Sequence, residues 1–403
     1  KLAMKKSLIA LAALAATATF AQSSVEIWGI VDAGVQNAKQ NGVSKTQLTT
    51  SGNASSQLGF RGTEDLGGGL KAEFRWEMDP STADTSSRTG GTSATGTTSN
   101  VTSSIGNGAS FVGASGAFGA IKLGTPNSAT LSINGDGNSG FGTAVGSGYR
   151  VTSFDAVRFQ NSTRYDTPDF NGFSASYLVS AKNDLQRNSG SVGLTGNLQN
   201  QTSGRDGVTE LGLAYLDGPL AVRFANLNVK QYASLLGTTD PYNGITLLTP
   251  ANPGAQFKVN SLSAKYAVNQ ALNLSYFFQS AKSDALSAAT STGTLGTQTF
   301  DRKTNGVAAS YAVTSAVTAM VNYQQVKNGD AAVSTTGSKA GLSAKVLGLG
   351  LDYALSKRTT AYARYERDSD SAASFRSLAN SGYTAATGNT TYTATAVGLR
   401  HTF

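Results

Sequence analysis

The chain has 403 residues with 46 glycines, a single histidine and no cysteine, and its formal net charge is +8. Without cysteine there are no disulfides, thiol nucleophiles or zinc–thiolate sites, and one histidine excludes the histidine clusters that most metal hydrolases need. Charged residues make up only 14% of the chain and are spread along it rather than gathered into a nucleic-acid-like patch, so we expect no cofactor, no metal and no nucleic-acid partner.

The first predicted element is a secretory signal peptide, residues 1–21. A short leader precedes the basic n-region MKK at 4–6, and Leu8–Ala16 (LIALAALAA) is a short apolar h-region. Residues 19–21 (TFA) offer small side chains at the −3 and −1 positions of a cleavage site. The apolar run is too short to span a bilayer as a helix. We expect residues 22–403 to form one domain.

Alternation of apolar and polar residues with period 2 recurs from residue 25 to the last residue, and it predicts β-strands. In Gly69–Asp79 (GLKAEFRWEMD), apolar residues at 70, 72, 74, 76 and 78 alternate with charged residues at 71, 73, 75 and 77. Another predicted strand places Phe159 on the apolar face, opposite Arg158 and Arg164. The pattern gives 16 candidate strands, and tyrosines near their ends are typical of the aromatic girdle of a membrane barrel.

The predicted connections alternate between tight turns and long polar segments. TPDFNG at 167–172 is a turn, whereas the polar segments 80–108, 126–157, 182–207 and 283–305 are predicted loops. A soluble sandwich rarely alternates so regularly, while an outer-membrane barrel has short periplasmic turns and long outer loops. The sequence therefore predicts an all-β fold, a 16-stranded antiparallel transmembrane β-barrel whose first and last strands pair. A secreted soluble β-protein is the alternative.

Six stretches of the chain carry a family resemblance. They are QSSVEIWGIVDAGV, SQLGFRGTEDLGGGLKAEFRWE, RFQNSTRYDTPDFNGFSASY, LAYLDGPL, YALSKRT and the terminal VGLRHTF, which begin at residues 22, 56, 158, 213, 353 and 397. They resemble the general (trimeric) porins of Gram-negative bacteria, of the β-proteobacterial type found in Burkholderia, Bordetella, Delftia and Neisseria. The resemblance covers essentially all of residues 22–403 apart from the outer loops.

The resemblance implies a homotrimer in the outer membrane, with the third long loop, residues 126–157, folded into each pore. It also implies that the C-terminal Phe403 is the signal to the barrel-assembly machinery, and that Arg61 and Arg158 are the main constriction cations. Family members commonly carry an arginine after the Leu-Gly that ends the fifth strand, but here Thr125 and Pro126 follow. Outer-membrane lipid, including lipopolysaccharide, and small hydrophilic solutes complete the expected partners.

Charged residues on the polar faces of the strands would line the pore. The predicted pore and constriction residues are Arg61, Arg75, Lys122, Arg158, Arg164, Asp136 and Asp155. Rings of charge at a narrowing set ion selectivity, and this set predicts a weak to moderate anion preference. Alternatively, the four charged residues of Gly69–Asp79 pair with neighbours across the sheet and set no selectivity. His401 falls on the apolar face, which argues against an outer-membrane phospholipase.

The predicted function is a water-filled outer-membrane channel through which small hydrophilic solutes and ions diffuse passively. No catalytic residue is predicted, so we expect a channel rather than an enzyme. Two alternatives remain at this stage. One is a substrate-selective channel for dicarboxylates, nucleosides or sugars, whose lumen aromatics and arginines bind the solute. The other is a surface adhesin, for which the long serine- and threonine-rich loops are the support.

Overall fold

The computed structural model describes most of the chain after residue 23. The described ranges are 24–40, 42–80, 108–138, 140–142, 144–148, 158–159, 161–181, 207–230, 238–239, 246–247, 256–290, 293–328, 333–334, 337–338, 343–370 and 390–403. The predicted signal peptide, residues 1–21, and the predicted pore residue Asp155 lie outside them. Within these ranges, no helix has the length and hydropathy needed to cross a membrane.

Sixteen strands in the described ranges form one barrel wall. They are β1 Ser24–Gln40, β2 Gln57–Gly67, β3 Leu70–Met78, β4 Ser110–Gly116, β5 Gly119–Thr125, β6 Ser162–Asp166, β7 Phe173–Ser180, β8 Gly207–Asp217, β9 Leu220–Lys230, β10 Gln256–Ala267, β11 Leu272–Thr290, β12 Gly293–Ala312, β13 Val317–Asn328, β14 Ser343–Ala354, β15 Thr359–Asp370 and β16 Thr390–Thr402. One helix, α1, spans Ala129–Gly137. A ribbon, Val43–Thr49, pairs with the end of β1, and four two-residue strands lie in other connections.

Every strand pairs antiparallel with the next, and β1 also pairs with β16, so the sheet closes on itself. Ile30 to Gln40 lie opposite Thr402 to Tyr392, and the backbones of Gly29 and Phe403 exchange two hydrogen bonds of 3.0 Å. Closure gives every edge N–H and C=O a partner, which a sheet in lipid requires. The predicted 16-stranded antiparallel barrel is therefore confirmed.

The two faces of the wall differ as the period-2 pattern predicts. On β3, Phe74 and Trp76 are exposed on the outer face, whereas Glu77 is buried on the inner face. The outer tyrosines include Tyr266, Tyr311 and Tyr353, all about half exposed. Apolar side chains facing outward all round the barrel and charged side chains facing inward suit a wall between lipid and water.

The predicted loop at 283–305 is wrong. Strands β11 and β12 continue through it as a hairpin, paired as far as Thr290 and Gly293, with register shifts near Ser283 and Ser287. Where paired strands extend beyond the apolar band of the barrel, both of their faces are polar. In that region, composition does not distinguish a hairpin from an irregular loop.

The predicted outward position of Phe159 is also wrong. Strand β6 begins only at Ser162, because Asn161 has a left-handed backbone with φ of 54°. The break ends the alternation, and the Phe159 ring is fully buried in an inner cluster with Leu178, Val208 and Leu227. Strand β6 is therefore shorter than its sequence pattern, and Arg158 and Phe159 belong to the barrel interior.

Candidate pore site

The connection after β5 lies against the inner wall of the barrel. Helix α1 begins after Ser128, whose Oγ accepts a 3.1 Å hydrogen bond from the Leu131 N–H, the usual N-cap arrangement. Ile133 of the helix is fully buried against Ala225 and Phe277, which stand on the inner faces of β9 and β11. Apolar packing thus holds α1 to this side of the lumen, where it contacts β8 to β12.

A buried carboxylate holds the start of α1. Glu210, on the inner face of β8, accepts hydrogen bonds from the backbone N–H groups of Ala129 at 2.6 Å and Thr130 at 3.0 Å. The Thr130 hydroxyl donates a third at 2.7 Å. A carboxylate at a helix N-terminus satisfies otherwise unpaired donors and interacts favourably with the helix dipole.

Residues 146–148 of the same connection are fixed to the strands that follow, β13 and β15. Glu366 on β15 accepts from the backbone N–H groups of Gly146 at 2.7 Å and Gly148 at 3.4 Å. The Asn322 amide on β13 donates to the carbonyl oxygens of Gly146 and Ser147 at 3.0 and 2.9 Å. The described residues of this segment therefore run along the inner wall from β8 to β15, with hydrogen-bonded anchors on β8 and on β13 and β15.

The predicted basic residues lie together on the inner face of another part of the wall, β2 to β6. Arg61 on β2 is the direct neighbour of Arg75 on β3, and Lys122 on β5 is the direct neighbour of Arg164 on β6. Arg158 stands just before β6 and is bridged to Asn127. The structure thus brings the five predicted cations onto one arc.

Each of these cations also has a polar partner on the wall. Arg61 forms two hydrogen bonds with Glu26, at 2.8 and 2.9 Å, and Arg75 pairs with Glu77. The remaining ion pairs and hydrogen bonds are Lys122 with Asp166 at 2.9 Å, Arg164 with Asp166 at 2.7 Å, and Arg158 Nε with Asn127 Oδ1 at 2.7 Å. Arg75 therefore has its ion-pair partner on its own strand rather than across the sheet, and its effect on selectivity stays a prediction.

The predicted acid Asp136 is the carboxylate of α1 that pairs with Arg223 on β9. Both side chains are about 30% exposed, so the pair stands at the water surface on the helix side of the lumen. Asp136 therefore lies across the lumen from the arc of cations rather than among them.

Two inner-face aromatics that the sequence analysis did not single out support the cations. The Arg75 guanidinium lies 5.0 Å from the Trp28 ring centroid, and the Lys122 ammonium lies 5.5 Å from that of Phe111. Such contacts favour a fixed position of the cation over the ring. The available signal was that Trp28 lies an even number of residues from Glu26 and Asp32 on β1, which puts the indole on their water-facing side.

The carboxylates and cations of the inner face differ in their exposure to water. Asp32, Glu77 and Glu210 are at most 1% exposed, and Asp32 accepts from the backbone N–H groups of residues 52, 53 and 54 at 3.0 to 3.1 Å. Arg61 and Arg75 are 50% and 33% exposed. Some inner-face arginines are buried too, Arg364 and Arg302 among them, and Glu26 is exposed. The water-exposed charged side chains of the inner face therefore carry a modest net positive charge.

Asp79 follows β3 at the long-loop end and continues its inward series. Burial raises the pKa of the Asp79 carboxyl, while the nearby Arg158 and a 3.4 Å hydrogen bond from the Gln57 amide oppose the rise. Mild acidification therefore neutralises Asp79 before it would neutralise an aspartate of ordinary pKa, and it adds to the positive character of this arc.

A closed barrel with an apolar outside, a charged inside and a connection packed against its inner wall defines the class of transmembrane β-barrel channels. A family model described as Gram-negative porin matches residues 7–373. The chain belongs to the Gram-negative porin family, whose members are channel proteins of the outer membrane rather than enzymes. The protein is accordingly an outer-membrane protein.

Two relatives are similar in sequence over part of the chain. Outer membrane porin protein 32 of Delftia acidovorans is 40% identical over 185 residues, which is 43% of this chain and 49% of the relative. Major outer membrane protein P.IB of Neisseria lactamica is 34% identical over 206 residues, or 49% and 56%. The chain thus spans about half the length of the curated relatives it matches.

Similarity to solved structures extends further. The anion-selective porin from Comamonas acidovorans has a TM-score of 0.68 and 25% identity, and the alignment covers 95% of this chain and 100% of that chain. Salmonella typhi OmpF, in a complex with daunomycin, has a TM-score of 0.60 at 18% identity, covering 94% and 97%. This second likeness shows the fold alone.

Proposed function

We propose that this protein forms a water-filled channel for passive diffusion of small hydrophilic solutes and ions, with a modest preference for anions. The observation that carries the proposal is the unequal exposure of the inner-face charges. Buried carboxylates are used as anchors for backbone N–H groups, whereas Arg61, Arg75 and Lys122 face water. Charge that lines a water-filled channel with low-dielectric walls raises the local concentration of the opposite ion. The anion-selective porin from Comamonas acidovorans supports the same proposal by similarity.

The test is the reversal potential of the purified protein in a planar bilayer under a KCl gradient. We expect a potential of the sign that chloride permeation produces, decreasing as the salt concentration rises because screening shortens the reach of the wall charges. A clear cation preference at low salt would refute the anion preference while leaving the channel function intact.

A substrate-selective channel is the second candidate. The stacking of Arg75 on Trp28 and of Lys122 on Phe111 favours it, because fixed cations beside aromatic rings make a binding surface for a planar anionic solute. Saturable block of the single-channel conductance by added aromatic carboxylate would support this candidate. Conductance that falls only in proportion to the volume taken up by the solute would support simple diffusion.

The proposed assembly is a homotrimer that inserts through a C-terminal signal at Phe403, after removal of residues 1–21, in a leaflet that contains lipopolysaccharide. The support is the sequence resemblance and the wide apolar outer surface, on which Phe403 is about half exposed. The trimer is tested by electrophoresis of the detergent-extracted protein before and after heating. We expect a band with the mass of three chains that changes on heating to a band with the mass of one chain. A heat-stable single-chain band in mild detergent would refute it.

A further inference from the structure

The outer face of β7, β8 and β9 carries an apolar hollow at the end where these strands meet their short turns. Its volume is about 390 Å³. We call this hollow the aromatic cup; its main walls are Phe170, Phe173, Ala175, Leu213, Tyr215 and Phe224. Because ligand pockets in proteins begin at about 300 Å³, the cup is large enough for one part of a small molecule, such as a chain of a lipid.

The strand register explains why the wall is hollow here. Phe173 on β7 lies directly opposite Tyr215 on β8, and their ring centroids are 4.4 Å apart. Two positions further from the turn, on the same face, Ala175 lies opposite Leu213, which in turn lies opposite Phe224 on β9. A methyl side chain surrounded by rings and a leucine leaves a depression, and Ala175 is its floor.

The turn between β6 and β7 forms a fixed wall of the cup. The backbones of Phe170 and Phe173 exchange hydrogen bonds of 2.8 and 3.2 Å. Asn171 and Gly172 between them have left-handed backbones with φ of 55° and 87°, and the Gly172 carbonyl accepts a 2.8 Å hydrogen bond from the Leu216 N–H. The Phe170 ring, although 61% exposed, is therefore carried by an ordered turn. A preformed cup loses little conformational entropy when it is filled.

The charged residues next to the cup are acids. Asp169 precedes Phe170 in the turn, and Asp217 lies two positions beyond Tyr215 on the same face of β8; both are exposed. Asp169 accepts a 3.0 Å hydrogen bond from the Gly172 N–H, and Asp217 accepts one of 3.3 Å from the Tyr215 hydroxyl. The described outward side chains of β6 to β8 include no cation. The charge that complements this rim is therefore positive.

The cup lies where the headgroups and acyl chains of a bilayer meet. Short turns of outer-membrane barrels face the periplasm, and outward tyrosines such as Tyr215 mark the membrane–water boundary. Two residues of a strand span about 7 Å. Asp217 therefore stands at the level of the headgroups, and the floor of the cup lies within the first part of the apolar band.

We propose that the aromatic cup binds a phospholipid of the periplasmic leaflet whose headgroup carries a free ammonium group. One acyl chain of the lipid lies in the cup, and the ammonium group lies at Asp169 and Asp217. Burial of the chain against the rings favours any lipid, whereas the carboxylates form charge-assisted hydrogen bonds with the ammonium group and repel an anionic headgroup. This inference rests on the outer-membrane location of the protein and not on the proposed ion conduction.

The headgroup is tested with two double variants of the full chain in neutral detergent. Asp169→Asn/Asp217→Asn removes both charges at the cup and keeps their acceptor oxygens. The control, Glu64→Gln/Asp65→Asn, removes the same charge at the turn end of β2, where Asp65 accepts a similar 2.8 Å hydrogen bond from the Gly67 N–H. Native mass spectrometry measures the bound fraction of phosphatidylethanolamine and of phosphatidylglycerol with the same acyl chains. We expect wild type and the control to retain phosphatidylethanolamine in preference by about threefold or more, and the cup variant to lose the preference.

The cup itself is tested by filling it. Ala175→Leu adds three carbons at the floor, and Ala309→Leu, on the outer face of β12, makes the same change away from the cup. We expect Ala175→Leu to lower the binding of both lipids by about threefold or more, and Ala309→Leu to bind as wild type. Phosphatidylethanolamine should raise the melting temperature of wild type more than that of Ala175→Leu. Ala175→Val replaces the leucine variant if that variant does not fold.

Three results would overturn the proposal: equal retention of the two phospholipids by wild type, an equal loss of preference in the β2 control, or wild-type binding of both lipids by Ala175→Leu. A complex of several chains that dissociates in Ala175→Leu but not in Ala309→Leu would also overturn it, because the cup would then be a contact between copies of this chain. Reversal potentials of the same variants should be unchanged, which separates this result from that of the proposed channel.

Discussion

Arg61 and Glu26 show how a single ion pair contributes to this pore. The two side chains are joined by two hydrogen bonds, yet both are about half exposed to water. An exposed pair of this kind adds little to the free energy of folding, typically about 0–1 kcal/mol. Its charges do, however, lie in the path of permeating ions, so we expect each member to act on selectivity rather than on stability.

Opposite substitutions at this pair should shift selectivity in opposite directions. Arg61→Gln leaves Glu26 unpaired and should lower the anion-to-cation permeability ratio, whereas Glu26→Gln should raise it. The double variant removes no net charge and should return close to wild type. Reversal potentials in a KCl gradient measure all three. Arg367→Gln, which removes one cation from the outer face, is the matched control and should change nothing. Shifts of the same sign in both single variants would contradict the prediction.

At the scale of elements, the segment along the inner wall depends on its anchors. Glu210 holds the start of α1 with three hydrogen bonds. Glu210→Gln removes the charge from a buried acceptor of backbone N–H groups, at a cost of about 1–3 kcal/mol. We expect greater current noise in the open channel, because α1 is less firmly held, and a lower melting temperature.

Single-channel recording and thermal unfolding would measure the effect of Glu210→Gln. The control is Glu73→Gln, which removes the same charge from an inner-face residue on β3. It should change the reversal potential without adding noise. Equal noise in the two variants would show that Glu210 does not restrain α1 in the open channel.

Gly348 on β14 lies against the Gly146 backbone of the segment. A Cβ built at this position would lie 1.8 Å from the Gly146 carbonyl oxygen, which is backbone and has little freedom to yield. Gly348→Ala should therefore push residues 144–148 away from β14 and into the lumen, and the single-channel conductance should fall. Gly306→Ala, where the nearest atom is the flexible Gln324 side chain at 2.7 Å, is the control and should conduct almost as wild type. An unchanged conductance in Gly348→Ala would refute the contact.

The sequence predicted the strands and the facing of their side chains well, for a physical reason. Lipid on one side and water on the other impose a strict period of two, as on β3. It did not predict the buried position of Phe159, because one left-handed residue, Asn161, ends the alternation. Nor could it identify the anchors, because Glu210 bonds to backbone N–H groups some 80 residues away, and a backbone N–H leaves no trace in residue identity.

At the scale of the whole molecule, the closing seam between β1 and β16 ends at Phe403. Its backbone exchanges two hydrogen bonds with Gly29 beyond eleven paired residues, Ile30 to Gln40. Deleting Phe403 removes only the last step of this ladder, so the refolded barrel should lose about 1–3 kcal/mol at most. If Phe403 is also the assembly signal, the amount of barrel in the outer membrane should fall far more than that loss of stability explains.

Two measurements separate these effects of the deletion. Denaturant unfolding of the refolded protein measures how much the seam contributes to the free energy of unfolding. The heat-modifiable fraction of the protein in outer membranes measures how much barrel has been assembled. Phe403→Tyr, which keeps the ring and the backbone, is the control and should behave as wild type in the first measurement. If the amount of assembled barrel falls only as far as the loss of folding free energy explains, Phe403 has a purely structural role.

The use of buried carboxylates as anchors has a consequence for how this protein can diversify. Asp32, Glu210 and Glu366 bind main-chain N–H groups of the connecting segments, and every residue except proline offers one. The side chains of those segments are then free to change without loosening their attachment. The sequences of these segments can therefore diverge between relatives while the segments stay attached to the inner wall at the same points.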